Sequence, residues 1–220
     1  MTFSILTFDS RTGVFAAAAA TGSLCVGGWV LRGDIESGLV ASQGTAPSTF
    51  WRDDVMRAMY QGQTAAAAVG AATAQDPGRG HRQLTALDRQ GNAHGFTGAA
   101  SVAFAGHLTE PGLAIAGNML PGPEVLDEMK SAAQAGGGSP GERMLRVLAA
   151  AEQAGGDSRG LQSAALLVLA PDRPPLDLRI DHSDDPVSAL KQLWRKSCQP
   201  PYSGWLAEVP VLADKTRTSA

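Results

Sequence analysis

The sequence predicts an α+β fold in which two stacked, mainly antiparallel sheets are covered on their outer faces by pairs of helices. Three observations carry this prediction. A short strand, a polar turn and a second strand recur at 3–8 and 14–20, at 83–87 and 92–97, and at 164–170 and 176–180. Their turns are Asp9-Ser10-Arg11-Thr12-Gly13, Asp88-Arg89-Gln90-Gly91 and Pro171-Asp172-Arg173-Pro174. Asp, Gly and Pro supply the backbone geometry of tight connections, so these units read as hairpins. Helical stretches come in pairs between runs of strands, whereas a parallel sheet would alternate strand and helix one for one. Finally, 44% of residues are hydrophobic but only 5% aromatic, and 26 are glycine, so the layers must pack through small and branched aliphatic side chains.

Along the chain, Val14 and Phe15 run straight into Ala16 to Ala20, an unbroken apolar strand suited to burial on both faces. Further strands are predicted at 38–43, 102–107 and 113–116, each short, apolar and flanked by glycine or proline. The first helix, over 53–61, places Val55, Met56, Met59 and Tyr60 on one face, and an alanine-rich helix over 64–75 stops before Asp76-Pro77-Gly78. The next spans 123–134, buries Val125, Leu126 and Met129, and ends in three glycines. Ser139-Pro140-Gly141-Glu142 then combines an N-cap, a first-turn proline and a capping box, opening a helix through Met144, Leu145, Leu148 and Ala151. Asp185-Pro186 opens the last, with Val187, Leu190, Leu193 and Trp194 inward. Beyond Lys196 the chain turns polar and proline-bearing, which predicts one domain over 1–197 and a peripheral tail over 198–220.

A chain of 220 residues can bury a sizeable core as a single domain. The balance of 18 Lys and Arg against 21 Asp and Glu, a net charge of −3 with no basic cluster, argues against nucleic acid or an anionic membrane as partner. A small-molecule or peptide ligand fits better. Cys25 and Cys198 stand far apart and without metal-type spacing, so neither a disulfide framework nor a zinc site is indicated, and no cofactor is expected. The N-terminus lacks a basic segment followed by an apolar run, and no stretch approaches ~18 uninterrupted apolar residues. The expectation is a cytoplasmic protein. Stacked sheets with exposed helix pairs commonly associate, which puts a homo-oligomer among the expected partners.

Thr2 is the residue of most chemical interest, since it lies behind the initiator methionine at the start of a buried strand. Once Met1 is trimmed, it carries a hydroxyl nucleophile and a free amine of pKa ~7.7–8.0, which near neutral pH accepts a proton from that hydroxyl. Other common fingerprints are missing. Gly27-Gly28 lacks the P-loop lysine, Gly136-Gly137-Gly138 follows a helix, and no Gly-x-Ser-x-Gly elbow occurs. His81, His94 and His107 are spaced by thirteen residues, which is no recognised metal-ligand pattern. His81 and His107 stand at strand edges in glycine-bearing segments, where loops carry function. Asn118, after a strand, could donate to an oxyanion, as could backbone N–H groups of the turn at Gln43 and Gly44. The segment 156–163 gathers Asp157, Arg159 and Gln162, suited to holding a carboxylate or an amide. Cys25, in an apolar run, reads as an inert core thiol.

Together these motifs resemble the domain of unknown function 1028 family of the N-terminal-nucleophile (Ntn) hydrolase superfamily. The matching pieces are Met1-Thr2-Phe3-Ser4-Ile5 with Asp9 and Gly13, Val26-Gly27-Gly28, Ala41-Ser42-Gln43, Asp76-Pro77-Gly78-Arg79 with His81-Arg82-Gln83, and Phe96-Thr97-Gly98. They continue with Ala105-Gly106-His107, Gly117-Asn118-Met119-Leu120, Gly155-Gly156-Asp157 with Arg159-Gly160 and Gln162-Ser163-Ala164, and Asp177-Leu178-Arg179-Ile180-Asp181. The resemblance covers about residues 1–197. It implies a four-layer αββα sandwich and an amidohydrolase in which Thr2 forms an acyl-enzyme. Asn118 or the Gln43-Gly44 turn would then stabilise the oxyanion, and His81, Arg82, His107, Asp157, Arg159 and Gln162 would bind a small amide or peptide substrate. Many relatives carry a Ser-Lys-Phe-like tripeptide where this chain has Gly22-Ser23-Leu24. That missing lysine motivates the rival reading, an Ntn-fold ligand-binding or assembly protein without turnover. A nucleophile elsewhere, at Ser4 or Cys25, is the third reading.

Overall fold

The structure is a computed structural model that describes residues 1–155 and 160–218. In chain order its elements are β1 (Thr2–Asp9), β2 (Val14–Thr21), α1 (Val26–Trp29), β3 (Leu31–Asp34), β4 (Gly38–Gly44), α2 (Thr49–Tyr60), α3 (Ala65–Ala74) and, after a 3-10 turn at Arg79–His81, β5 (Arg82–Asp88). The chain continues through β6 (Ala93–Thr97), β7 (Phe104–Glu110), β8 (Leu113–Leu120), α4 (Glu124–Gln134), α5 (Pro140–Gln153), β9 (Ser163–Ala170), β10 (Arg173–Ile180), α6 (Pro186–Ser197) and α7 (Tyr202–Leu206). Two sheets result, one of six strands in the order β10-β9-β2-β1-β8-β7 and one of four in the order β3-β4-β5-β6. Every pairing is antiparallel.

Side chains alternate across a strand, so each strand divides its residues between two layers. In β1, Phe3 and Ile5 join Ala16, Ala18, Ile115, Leu126, Met144 and Leu148 in a core between the six-stranded sheet and α4, α5 and α6. Leu6 faces the other way and packs with Phe15, Ala17, Leu39 and Leu167 between the two sheets. A third cluster sets Val55, Met59 and Val69 of α2 and α3 against Val40 and Leu84 of the four-stranded sheet. This packing is consistent with the four-layer sandwich. Packing between the sheets is close at Gly33, where an added Cβ would stand 2.7 Å from Leu39 and 2.8 Å from Leu167.

The predicted hairpins all form, and so do the five predicted helices, with shifted ends. Helix α2 starts at Thr49, four residues before the expected start, because the Ser48 hydroxyl caps it by accepting from the Trp51 N–H. Strand β7 runs over Phe104–Glu110 instead of 102–107, and β8 extends four residues past its predicted end to Leu120. α1, β3 and α7 are not foreseen in the sequence. The first two are held from outside: buried Arg52 donates to the carbonyls of Gly28 and Trp29 at 2.7 and 3.0 Å, and the Ser42 N–H bonds Val30 O at 3.1 Å. The segment after α6 forms α7 and returns to the body, where Ala213 N–H donates to Pro171 O at 3.1 Å and Val211 is buried. No helix among the described residues is long and apolar enough to cross a membrane.

Candidate active site

At one end of the inter-sheet layer the apolar pattern stops, and two polar rows face each other. In the six-stranded sheet, strand register aligns Asn118 of β8 with Thr2 of β1, Thr2 with Thr21 of β2, and Thr21 with Ser163 of β9. In the four-stranded sheet it aligns Gln43 of β4 with Gln83 of β5, and Gln83 with Thr97 of β6. Two residues further along the same faces the layer turns apolar at Ala19, Ala41 and Ala165, members of the inter-sheet core, with Ser4 and Thr85 the buried hydroxyls among them. Asn118, Gln43, Gln83, Thr21 and Ser163 are all buried, and Thr2 is half-buried.

Gln83 is the hub. Its Oε1 accepts from Gln43 Nε2 at 2.7 Å and from Asn118 Nδ2 at 3.3 Å, while the two hydrogens of its Nε2 are shared among three acceptors, the carbonyls of Gly106 and Gly117 at 2.8 and 3.0 Å and Thr97 Oγ1 at 2.9 Å. Two backbone carbonyls, which only accept, fix the orientation of that amide. Thr97 Oγ1 in turn lies 2.9 Å from His107 Nδ1. His107 titrates below the ordinary imidazole value, first because burial disfavours its charged form and second because His94 adds like charge. The ring has room because residue 95 is glycine: a Cβ there would stand 2.3 Å from His107 Cδ2.

Around Thr2 a proton count settles donor and acceptor. Thr21 Oγ1 donates to the Met1 carbonyl at 2.7 Å, and a hydroxyl carries one hydrogen, so in the 2.9 Å Thr2–Thr21 pair the Thr2 hydroxyl is the donor. The Gly22 N–H also reaches the Met1 carbonyl, at 3.3 Å. Gln43 Nε2 lies 3.4 Å from Thr2 O. Met119, directly after Asn118, holds φ at 57°, an uncommon conformation for a residue with a side chain. Gln43 Oε1, Ser4 Oγ and Thr85 Oγ1 are buried in the same layer with no hydrogen-bond partner among the described residues.

The model of a family of unknown function, DUF1028, matches residues 2–190. The chain belongs to this family. A solved structure similar to it is a DUF1028-family protein from Silicibacter pomeroyi, 49% identical, with coverage of 100% of this chain and 99% of that one and a TM-score of 0.94. No curated protein matches the chain.

Within this DUF1028 chain the structure brings together Thr2, Asn118, Gln43 and His107. Gln162 stands beside them through its N–H bond to Thr21 O at 2.8 Å. Gly44 sits at the edge with φ at 130°, where a Cβ would lie 2.5 Å from the His81 carbonyl. Its tight approach to β5 serves the strand pairing. Arg82 and His81 are not brought to Thr2. Arg82 alternates with Gln83 and so points to the outer face, where it pairs with Asp76 at 2.6 Å and stacks 5.7 Å from Trp51; His81 is exposed in the preceding turn. Asp157 and Arg159 lie outside the described residues. Four further members of these polar rows, Thr21, Gln83, Thr97 and Ser163, are not among the site residues expected from the sequence. Their signal is a polar residue at the inward parity of a strand end, just beyond an apolar run. Ser4 is fully buried, and Cys25 caps α1 at φ 61°, outside the polar rows. Among the described residues no three His, Cys, Asp or Glu side chains converge to hold a metal ion. A cavity of about 410 Å³ lies elsewhere, between β3, β10 and the C-terminal segment, and none of the row residues lines it.

Proposed function

We propose that this chain is an amide hydrolase of the N-terminal-nucleophile type, with Thr2 as nucleophile once the bond before it is cut. The observation that carries the reading is the polar end of the inter-sheet layer, where a half-buried threonine at a strand start stands in register with an asparagine amide and opposite two glutamine amides. The freed α-amine accepts the hydroxyl proton as Oγ forms a bond to the substrate carbonyl carbon, whose oxygen takes the charge. One Asn118 amide hydrogen goes to Gln83 and the other has no partner among the described residues, which suits it to that oxyanion. Collapse breaks the C–N bond, the leaving amine takes the proton back from the ammonium, and water hydrolyses the Thr2 ester. Gln43 Oε1, a buried acceptor, suits an ammonium or a substrate N–H. Within the reading, the fold is an Ntn-like sandwich, the substrate is a small amide or peptide, and the hydrolase works in the cytoplasm.

A second reading, a ligand-binding protein without turnover, is favoured by one observation. Met1 is 3% exposed, and its carbonyl is held by Thr21 and Gly22. Two measurements decide. Intact mass of protein from its native host should begin at Thr2. A panel of small amides and N-acyl amino acids should be cleaved by wild type and by Thr2→Ser at a reduced rate, and by Thr2→Ala at least a thousandfold more slowly. Equal rates for wild type and Thr2→Ala, or complete retention of Met1, would sink the hydrolase.

A further inference from the structure

The Met1 residue occupies a defined place beside Thr2. Its side chain is on the Phe3 face of the strand, 3% exposed, and belongs to the apolar core that α4 and α5 cover. Its carbonyl oxygen accepts from Thr21 Oγ1 at 2.7 Å and from the Gly22 N–H at 3.3 Å, and its nitrogen lies 3.6 Å from Met119 Sδ. An acyl group bonded to Thr2 is therefore already present in this structure, linked to N in place of Oγ. These two atoms belong to one residue, and a carbonyl carbon passes between them through a five-membered ring. An acyl chain attached to Oγ can thus begin close to where the Met1 carbonyl carbon stands and run into the same pocket.

We propose that the space filled by Met1 is the acyl subsite of this protein, and that it takes an unbranched apolar acyl group about as long as a methionyl residue, with hexanoyl as the matching chain. This rests on the reading of Thr2 as nucleophile. The pocket chemistry is the reason for the class. A linear thioether fills it, and the side chain that does so is a member of the apolar core. The two donors on the Met1 carbonyl would bind the carboxylate of the released acid. Met119, whose backbone is held at φ 57°, would bound the subsite next to the nucleophile.

The test uses two forms of the full chain, released from a cleavable N-terminal fusion so that one begins at Met1 and the other at Thr2. Straight-chain carboxylates from acetate to octanoate are titrated into each by calorimetry, and melting is followed with and without hexanoate. In the Thr2 form, affinity should rise about fourfold per methylene up to hexanoate, the worth of burying one CH₂, and fall at octanoate. Hexanoate should raise the melting temperature of that form alone, and the Met1 form should bind it at least tenfold more weakly. Equal affinity for acetate and hexanoate, or equal hexanoate binding by both forms, would overturn the subsite. Failures separate cleanly. Hexanoate binding with amide hydrolysis that ignores Thr2→Ala would remove the nucleophile and keep the pocket, whereas Thr2-dependent hydrolysis that prefers acetyl amides would do the reverse.

Discussion

Gln83→Leu is the sharpest probe of the polar rows, because one fully buried amide joins five partners there. Leucine is one atom shorter and has no polar atoms, so the substitution removes every hydrogen bond of the amide and keeps an apolar side chain in its place. Asn118 Nδ2 would lose its only partner among the described residues, and a buried donor left unmade costs about 1–3 kcal/mol. Gln43 Nε2 would keep only the 3.4 Å contact to Thr2 O, and the Gly106 and Gly117 carbonyls would each lose a donor, adding about 2 kcal/mol more. The sum is about 3–5 kcal/mol. At roughly 2–4 °C per kcal/mol for a chain of this size, the melting temperature should fall by roughly 6–20 °C. Calorimetric melting with a urea titration measures it. Adding Gln43→Leu removes the unpaired amide, so the double variant should be less destabilised than the two singles summed, by about 1 kcal/mol or more. A Gln83→Leu protein melting within about 3 °C of wild type, with the urea midpoint unmoved, would refute the account of the hub.

Three further outcomes follow from the same geometry. Gly95→Ala should cost about 1–3 kcal/mol by urea denaturation, since its Cβ would stand 2.3 Å from His107 Cδ2, and His107→Ala in the same chain should recover most of it. Burial holds the folded His107 below the ordinary value of 6.5, so the unfolded chain takes up a proton that the folded one refuses. Its contribution to stability is therefore constant above about pH 6.5 and is lost as pH falls from there toward the lowered folded value. His107→Gln should flatten that part of a melting-temperature profile between pH 8 and 5, and identical slopes in both proteins would contradict the assignment. Ser139→Ala should lower the melting temperature by roughly 2–4 °C, about 1 kcal/mol, by removing the hydroxyl that accepts from the Glu142 N–H at 3.3 Å, while the backbone half of the capping box, Ser139 N–H to the Glu142 carboxylate at 2.7 Å, remains.

Much of the scaffold is legible in the sequence because its signals are local. Asp88 shows why: its carboxylate accepts from the N–H groups of Gln90 and Asn92 within the turn, so the chemistry that closes the hairpin lies within four residues of itself. The same carboxylate also accepts from Ala65 N–H at the start of α3, 23 residues away, and nothing in the local pattern announces that. α1 is opaque for a related reason. Val26-Gly27-Gly28-Trp29 has low helix propensity and forms one turn because Arg52, from another helix, takes its carbonyls.

For the candidate site, Thr2, Asn118 and Gln43 stand out singly, by residue type at strand ends. Their being neighbours does not. Arg82 and Gln83 are adjacent in sequence and equally polar, yet one reaches Asp76 on the outer face and the other is the hub of the inner layer. Parity decides this, and parity acquires meaning only when the partner sheet exists to define the inside. By itself the sequence determined most of the strands, the helix pairs and the position of a threonine at the head of the first strand, since propensity, capping and turn chemistry act over a few residues. Only the tertiary structure decided that Thr2, Thr21, Asn118, Gln43, Gln83 and Thr97 form one site, because register and sheet stacking are long-range choices in which burying the apolar faces carries the polar ends into contact.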